Sequence, residues 1–170
     1  MERDVPVIFA MIRELAEYEK LTDIFVATEE RIRAGLFGDD PAAEALLAYD
    51  GPQCAGFAIF FRCYSTFLAE AGIYLEDLYV KPELRGNGIG FALLSRIAQI
   101  ATERGCGRVE WGVLNWNEPS IQFYKRLGAV PMDEWTKYRL TGEPLRQLAA
   151  RCVMPSPAAS QASRTTASRS

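Results

Sequence analysis

Histidine is absent from the 170 residues of this chain. Without an imidazole, the chain cannot form a Ser-His-Asp triad, and it cannot supply the nitrogen ligands of a mixed Cys/His metal site. A general base must therefore come from other side chains, of which carboxylates are the first candidates. This one absence excludes several common classes of enzyme and of zinc protein.

Closely spaced cysteines are lacking as well. The four cysteines include no C-x-x-C pair and lie far apart, at Cys54, Cys63, Cys106 and Cys152. This spacing argues against a zinc knuckle and against a disulfide scaffold. We therefore expect a cytoplasmic protein that holds no metal.

The chain has neither an excess of basic residues nor a long apolar run. Its 19 Lys and Arg against 22 Asp and Glu give a formal net charge of −3, so we expect no nucleic-acid partner. No apolar segment reaches the ~20 residues that a membrane-spanning helix needs, and the N-terminus lacks a signal-peptide pattern. We expect a soluble protein without a membrane partner.

Helical and strand patterns alternate along the chain. Hydrophobic periodicity predicts helices over residues 4–18, 28–37, 88–104, 121–127 and 145–150. Apolar and aromatic runs predict strands over residues 45–49, 54–64, 73–80, 108–114 and 134–140, with a hairpin between the first two. We expect one domain over residues 1–152. The Ser-, Ala- and Arg-rich residues 153–170 lack apolar periodicity and are expected to form a disordered tail, solvated rather than bound to RNA.

Residues 75–90 contain an apolar strand that leads through a glycine-rich turn into a helix. The glycines permit backbone conformations closed to other residues, and a helix start supplies free N–H groups, so the turn is typical of an anion site. A tight connection without a ligand would carry the same glycines. The spacing is neither the G-x-G-x-x-G of a dinucleotide fold nor a loop ending in Gly-Lys-Ser/Thr.

The pattern that remains is Arg85-x-x-Gly88-x-Gly90. It resembles the pyrophosphate-binding signature of the GCN5-related N-acetyltransferase (GNAT) superfamily, R/Q-x-x-G-x-G/A. Residues 116–129 resemble the second cofactor segment of that superfamily, in which an Asn precedes a helix that carries Phe-Tyr, here Phe123 and Tyr124. Alone, these aromatics would be interpreted as core residues. Two motifs in the order and spacing of the family point to it together.

The resemblance implies an α/β (α+β) fold with a mixed central sheet, mostly antiparallel, flanked by helices and splayed between its two central strands. The family begins with a β-strand, whereas only Met1, Glu2 and Arg3 precede the first predicted helix. We therefore expect the first strand to be missing from this chain or to lie upstream.

Residues 14–19, 74–80 and 116–120 also resemble the diamine (spermidine/spermine) N-acetyltransferase subgroup, over roughly residues 4–148 in all. This implies direct acetyl transfer from acetyl-coenzyme A to a primary amine in a ternary complex, in a homodimer. Residues 114–117 look like the branch that accepts lysine- or ornithine-like amino acids, so the acceptor stays open between these and a polyamine or diamine. A protein or peptide N-acetyltransferase and a non-catalytic coenzyme A-binding regulatory module are the alternatives.

The same resemblance implies the residues of the site. Those expected to contact the cofactor are Leu78, Val80, Arg85, Gly86, Asn87, Gly88, Ile89, Gly90, Asn117, Tyr124 and Lys125. For Lys125, a solvated helix face is an equal alternative. Those expected to line an acidic channel for the amine are Tyr18, Glu19, Glu76 and Asp77.

Attack on the thioester requires a neutral amine, and an alkylamine with a pKa near 10.4 is neutral in only about one molecule in a few thousand at pH 7. The resemblance indicates Glu76 as the base, acting through a water, with an ordinary exposed carboxylate as the alternative. Tyr124 is expected to be the general acid for the leaving thiolate, because a phenol stays protonated at pH 7. The backbone N–H near Val80 is expected to stabilise the oxyanion.

Overall fold

The structure is a computed structural model that describes residues 1–152. Its helices are α1 (Val5–Tyr18), α2 (Glu29–Phe37), α3 (Ile89–Glu103), α4 (Glu118–Arg126) and α5 (Gly142–Ala150). Its strands are β1 (Glu44–Asp50), β2 (Gln53–Ser65), β3 (Glu70–Val80) and β4 (Arg108–Trp111). The five predicted helices and the first four predicted strands are confirmed, with differences in length. The predicted tail lies outside the described residues.

The chain groups into two compact units, of which the first covers Met1–Ile121 and the second begins at Gln122. The first unit contains the sheet, and the second contains most of α4 and all of α5. The expectation of one domain over residues 1–152 stays a prediction.

The four strands form one mixed sheet in the order β1-β2-β3-β4. Strands β1, β2 and β3 pair antiparallel, and β4 pairs parallel with β3. A parallel pair needs a crossover connection, which α3 provides between β3 and β4. The mixed, mostly antiparallel sheet with flanking helices confirms the predicted fold class.

Helices α1 and α3 cover opposite faces of the sheet. Met11 and Leu15 of α1 pack with Phe57 of β2 and Tyr79 of β3 in one buried cluster. Successive strand residues face opposite sides, and a Cβ added at Gly56 would meet Leu93 of α3 at 3.4 Å. The α1 face of the sheet therefore carries Phe57 and Tyr79, while α3 lies on the other face.

Strand β3 changes register in its middle. Asp77 pairs with Ile59 and Leu75 pairs with Phe60, which leaves Glu76 without an opposite residue on β2. One extra residue in one strand of an antiparallel pair is a β-bulge. The bulge reverses the inward and outward alternation of the residues that follow it.

The sheet opens immediately beyond this bulge. Strand β4 pairs only with Gly72–Leu75 of β3. Residues 76–80 keep β2 on one edge, and among the described residues no strand lies on their other edge. Among the described residues, the sheet therefore opens between β3 and β4.

Two strand predictions are wrong in part or in whole. Strand β4 ends at Trp111 rather than at residue 114, because its partner strand reaches the bulge at that point. Residues 134–140 form no strand, and Trp135 and Tyr138 are 71% and 91% exposed. Their alternating pattern indicates which side chains would share a face, but a strand also needs a neighbour for its backbone groups.

A short 3-10 turn precedes α1. Within residues 1–152, no strand precedes α1, and Glu2–Asp4 form a 3-10 turn. The carboxylate of Asp4 accepts a hydrogen bond from the N-terminal amine of Met1 at 2.8 Å. Asp4 occupies the N-cap position of α1, but its side chain makes no capping bond.

Candidate functional site

The glycine turn after β3 has the backbone that the sequence predicts. Gly86 and Gly88 have positive φ angles of +85° and +81°, a conformation that favours glycine. Gly88 is the N-cap of α3 and has no side chain to bond the first N–H groups of the helix. These N–H groups and the positive end of the helix dipole are suited to an anion.

The side chain of Arg85 connects this turn to the α1 face of the sheet. Its Nε donates a hydrogen bond to the carbonyl oxygen of Val80 at 2.9 Å. Its guanidinium carbon lies 4.3 Å from the ring centre of Tyr18 and 5.7 Å from that of Tyr79. A residue predicted for the cofactor and one predicted for the amine channel are therefore in contact, held by cation–π attraction.

Tyr18 and Asn117 hold each other in place. The hydroxyl of Tyr18 lies 3.4 Å from Oδ1 of Asn117, and the Tyr18 ring lies 5.8 Å from that of Trp116. Asn117 is only 6% exposed, and the same Oδ1 accepts a bond from the backbone N–H of Ser120 at 3.4 Å. Asn117 therefore caps the first turn of α4.

Glu14 is a residue of this region that the sequence analysis missed. Its carboxylate accepts a hydrogen bond from the Tyr79 hydroxyl at 3.4 Å and pairs with Lys81 Nζ at 3.3 Å. Burial and, next, the Glu14 carboxylate raise the pKa of Tyr79 to about 12. The spacing of four between Glu14 and Tyr18 was the available signal, because such residues share one helix face.

Three carboxylates form what we call the acidic patch: Glu19, Glu76 and Asp77. Glu19 is the C-cap of α1, Glu76 is the exposed bulge residue, and Asp77 is half-buried on β3. Burial raises the pKa of Asp77 to about 7, with further contributions from Glu76 and Glu19. Burial also raises the pKa of Glu19.

No cation neutralises the acidic patch within the described part of the chain, where the ion pairs involve other residues. The patch adjoins the end of α1, where the helix dipole is negative. It is therefore suited to a cationic ligand. Residues 1–152 contain no group of three or more His, Cys, Asp or Glu placed to hold a metal ion.

Tyr124 and Lys125 lie on α4, in the second unit. The ring of Tyr124 lies 5.3 Å from that of Phe123, and its carbonyl oxygen accepts from the N–H groups of Leu127 and Ala129. Gly128 ends this segment with a φ of +85°. The roles of Tyr124 and Lys125 stay predictions.

Among the helices described, none has the length and apolar character required to cross a membrane.

The chain is similar to known proteins in both sequence and fold. The model of the Acetyltransferase (GNAT) family matches residues 11–129. A thialysine N-epsilon-acetyltransferase of Sus scrofa is 42% identical over 161 residues, which cover 88% of this chain and 94% of the relative. The L-ornithine N5-acetyltransferase NATA1 of Arabidopsis thaliana is 32% identical over 85% of this chain and 83% of the relative. An integron cassette protein from the mobile metagenome of V. cholerae has a similar fold, with a TM-score of 0.70, 26% identity, and coverage of 85% of this chain and 90% of its own.

Proposed function

Because this chain belongs to the acetyltransferase (GNAT) family, we propose that it acetylates the terminal amine of a small lysine- or ornithine-like amino acid. The predicted N-acetyltransferase activity and family are confirmed by the family match and by relatives about 40% identical. Enzymes of this family use acetyl-coenzyme A as the acetyl donor. The choice of acceptor is the part that we propose.

The acidic patch is the observation that carries this proposal. Three carboxylates at the end of α1 and on β3 have no cationic partner among the described residues, and a primary ammonium would supply one. Hydrogen bonds between an ammonium and a carboxylate are about twice as strong as neutral ones. The patch therefore favours a cationic acceptor over a neutral alcohol or thiol.

Two relatives named for thialysine and ornithine support the amino-acid class. A diamine or polyamine is the second candidate, because three carboxylates are more than a single ammonium requires. A relative named as a spermidine/spermine N(1)-acetyltransferase-like protein supports this second candidate.

For the cofactor, we propose that the backbone N–H groups from Gly86 to Gly90 hold the pyrophosphate. The open edge of β3 at Leu78 and Val80 would pair with the pantetheine arm, as a peptide strand pairs with a sheet edge. Arg85, Asn87 and Ile89 complete the turn, and Asn117, Tyr124 and Lys125 are the proposed contacts from the second motif.

For the chemistry, we propose direct attack in a ternary complex. A carboxylate of the acidic patch accepts one proton from the ammonium, and the neutral nitrogen attacks the thioester carbon. The backbone N–H near Val80 stabilises the oxyanion. The carbon–sulfur bond then breaks, Tyr124 protonates the leaving thiolate, and the second nitrogen proton returns to the tyrosine through water.

One acceptor screen tests this proposal. The purified chain would be incubated with acetyl-coenzyme A and with matched pairs of acceptors, ornithine with putrescine and lysine with cadaverine, together with thialysine, spermidine and a lysine-containing peptide. Each pair shares its terminal amine and differs by one carboxylate. We expect kcat/KM to be at least about tenfold higher for the amino acid of each pair, a difference worth about 1.4 kcal/mol.

The other outcomes assign the acceptor differently. Higher kcat/KM for putrescine and cadaverine would select the diamine class, and acetylation of the peptide alone would select a protein N-acetyltransferase. Binding of acetyl-coenzyme A without turnover of any amine would indicate a regulatory module. The proposed homodimer would be checked by light scattering, and the proposed cytoplasmic location by fractionation of cells that express the chain.

A further inference from the structure

Within the proposed reaction, we propose that Asp77 is the group that takes the proton from the acceptor ammonium, a role that the sequence motif gives to Glu76. This inference rests on the proposed function, because it requires an amine acceptor. It makes Asp77 a catalytic residue and gives Glu76 and Glu19 supporting roles.

The β-bulge distinguishes the two neighbouring carboxylates. Residues directly opposite on paired strands share a face of the sheet. Phe57 pairs with Tyr79 on the α1 face. Side chains alternate between the faces, so the pair two residues along, Ile59 with Asp77, lies on the α1 face as well. Glu76 is the inserted residue, has no opposite residue on β2 and is exposed to solvent. Asp77 is thereby held in a fixed register beneath α1, and Glu76 is not.

The position of Asp77 along β3 suits a proton acceptor. It lies within residues 76–80, whose outer edge has no neighbouring strand in the described chain. The same edge is the proposed site of the pantetheine arm. An ammonium bound between Glu19 and Asp77 would therefore lie beside the strand on which the thioester is expected.

The charges around Asp77 set its proton affinity. The charged groups that face it are Glu76 on its own strand and Glu19 at the end of α1, and its neighbour across on β2 is the apolar Ile59. Burial, followed by these two carboxylates, raises the pKa of Asp77 to about 7. A base is most effective when its pKa lies near the working pH, because it is then ionised often enough and still binds a proton strongly.

The proton balance of this step is complete. The ionised Asp77 takes one proton from the ammonium, and the nitrogen lone pair forms the new carbon–nitrogen bond. After the thiol and the amide have left, Asp77 releases its proton to solvent. The overall reaction converts an ammonium and a thioester into an amide, a thiol and one free proton, and it requires no further reactant.

The test compares the pH dependence of kcat/KM in Asp77→Asn and Glu76→Gln, with ornithine as acceptor or putrescine if the screen selects diamines. We expect the wild type to show an acidic limb near pH 7, since kcat/KM reports the ionisation of the free enzyme. Asp77→Asn should lose this limb and about 100-fold in kcat/KM. Glu76→Gln should keep the limb but move it to lower pH, because removal of a neighbouring negative charge lowers the pKa of Asp77. Glu19→Gln should also move the acidic limb to lower pH.

A second acceptor tests whether Asp77 acts on the charged ammonium. With the amine itself, a proton-transfer role should lower kcat, whereas a binding role should raise KM. In the aminooxy analogue of the chosen amine, O–NH₂ replaces CH₂–NH₂, and the nitrogen is already neutral near pH 7, so no proton has to leave it before attack. Asp77→Asn should therefore acetylate this analogue with less than about a fivefold loss, against the 100-fold loss with the amine. Asp40→Asn, a change at an exposed loop residue, is the matched control and should leave both rates unaltered.

Two results would overturn the assignment. One is loss of the acidic limb in Glu76→Gln while Asp77→Asn retains it, which would return the role to Glu76. The other is an equal loss in Asp77→Asn for the amine and the aminooxy analogue, or a loss with the amine that lies in KM alone; either would exclude Asp77 as the proton acceptor. Circular dichroism and acetyl-coenzyme A titration would establish that the variant is folded. If the wild type acetylates no amine, the proposed function fails first, and this inference fails with it.

Discussion

At the scale of single residues, Tyr79 lies where several parts of the first unit meet. Its ring lies 6.2 Å from that of Phe57 and 6.4 Å from that of Tyr18, and its hydroxyl donates to Glu14. With its pKa raised to about 12, it is a poor proton donor near neutral pH. Tyr79 therefore supports the site by packing, and Tyr124 is the better candidate for the general acid.

This assignment predicts the behaviour of Tyr124→Phe. The change removes the hydroxyl and keeps the ring, so acetyl-coenzyme A should still bind, while kcat falls by about 100-fold because the thiolate leaves unprotonated. Steady-state kinetics and calorimetric titration of the cofactor would measure the two effects. Tyr138→Phe, at a tyrosine that is 91% exposed, is the matched control and should retain the wild-type rate. A kcat close to wild type in Tyr124→Phe would exclude the general-acid role.

At the scale of elements, the turn between β3 and α3 must adopt a left-handed backbone conformation and leave space for a ligand. A Cβ added at Gly88 would meet no atom within 4 Å, so the glycine is required by its φ of +81° and not by crowding within the chain. The open space above it is where a ligand would approach the backbone. A side chain there would disturb both the turn and the proposed pyrophosphate site.

Gly88→Ala tests these two effects together. We expect the left-handed conformation to cost about 1 kcal/mol in the free energy of unfolding. We also expect the KM for acetyl-coenzyme A to rise by about tenfold or more, because the methyl group would occupy the approach to the N–H groups. Gly51→Ala is a matched control, since Gly51 has a φ of +57°, equally open surroundings and a place in the β1–β2 turn. Gly51→Ala should lose a similar free energy of unfolding and keep the wild-type KM for acetyl-coenzyme A. Equal KM changes in both variants would argue against the pyrophosphate site.

The elements also show how far sequence reasoning extends. Helices α1 and α2 were predicted nearly to the residue, because periodicity and end signals such as Thr28, whose hydroxyl accepts from the N–H of Arg31, are local. The residues of the acidic patch were named from a motif. The bulge at Glu76 was not foreseen, because a register shift depends on the pairing of two distant strands. The strand predicted for residues 134–140 was wrong for the same reason, because the local sequence does not specify a partner strand.

At the scale of the whole molecule, we expect the acidic patch to lower the free energy of unfolding at neutral pH. Three carboxylates without a cation repel one another, and the half-buried Asp77 has lost part of its hydration. Sites that must bind a charged substrate often carry such a cost. The free energy of unfolding should therefore depend on pH in a manner that identifies Asp77.

The direction of this dependence follows from the raised pKa. Asp77 changes from its ordinary pKa of 3.8 to about 7 on folding, so the folded state favours the protonated carboxyl. Its contribution to stability is present in full below about pH 4 and is lost as the pH rises through about 7. A shift of this size corresponds to at most about 4 kcal/mol, and partial exposure to solvent reduces the expected value to about 2 kcal/mol.

Asp77→Asn should reveal this contribution, because an amide resembles the protonated carboxyl and cannot ionise. We expect the variant to match the wild type in unfolding free energy at pH 4 and to exceed it by about 2 kcal/mol at pH 8. Urea unfolding followed by circular dichroism at pH 4, 6 and 8 would measure the difference. Asp40→Asn removes a carboxylate at an exposed position and should follow the wild type at each pH. If Asp77→Asn were less stable than the wild type at pH 8, the carboxylate would be a stabilising partner in the folded chain, and the environment that we assign to the acidic patch would be wrong.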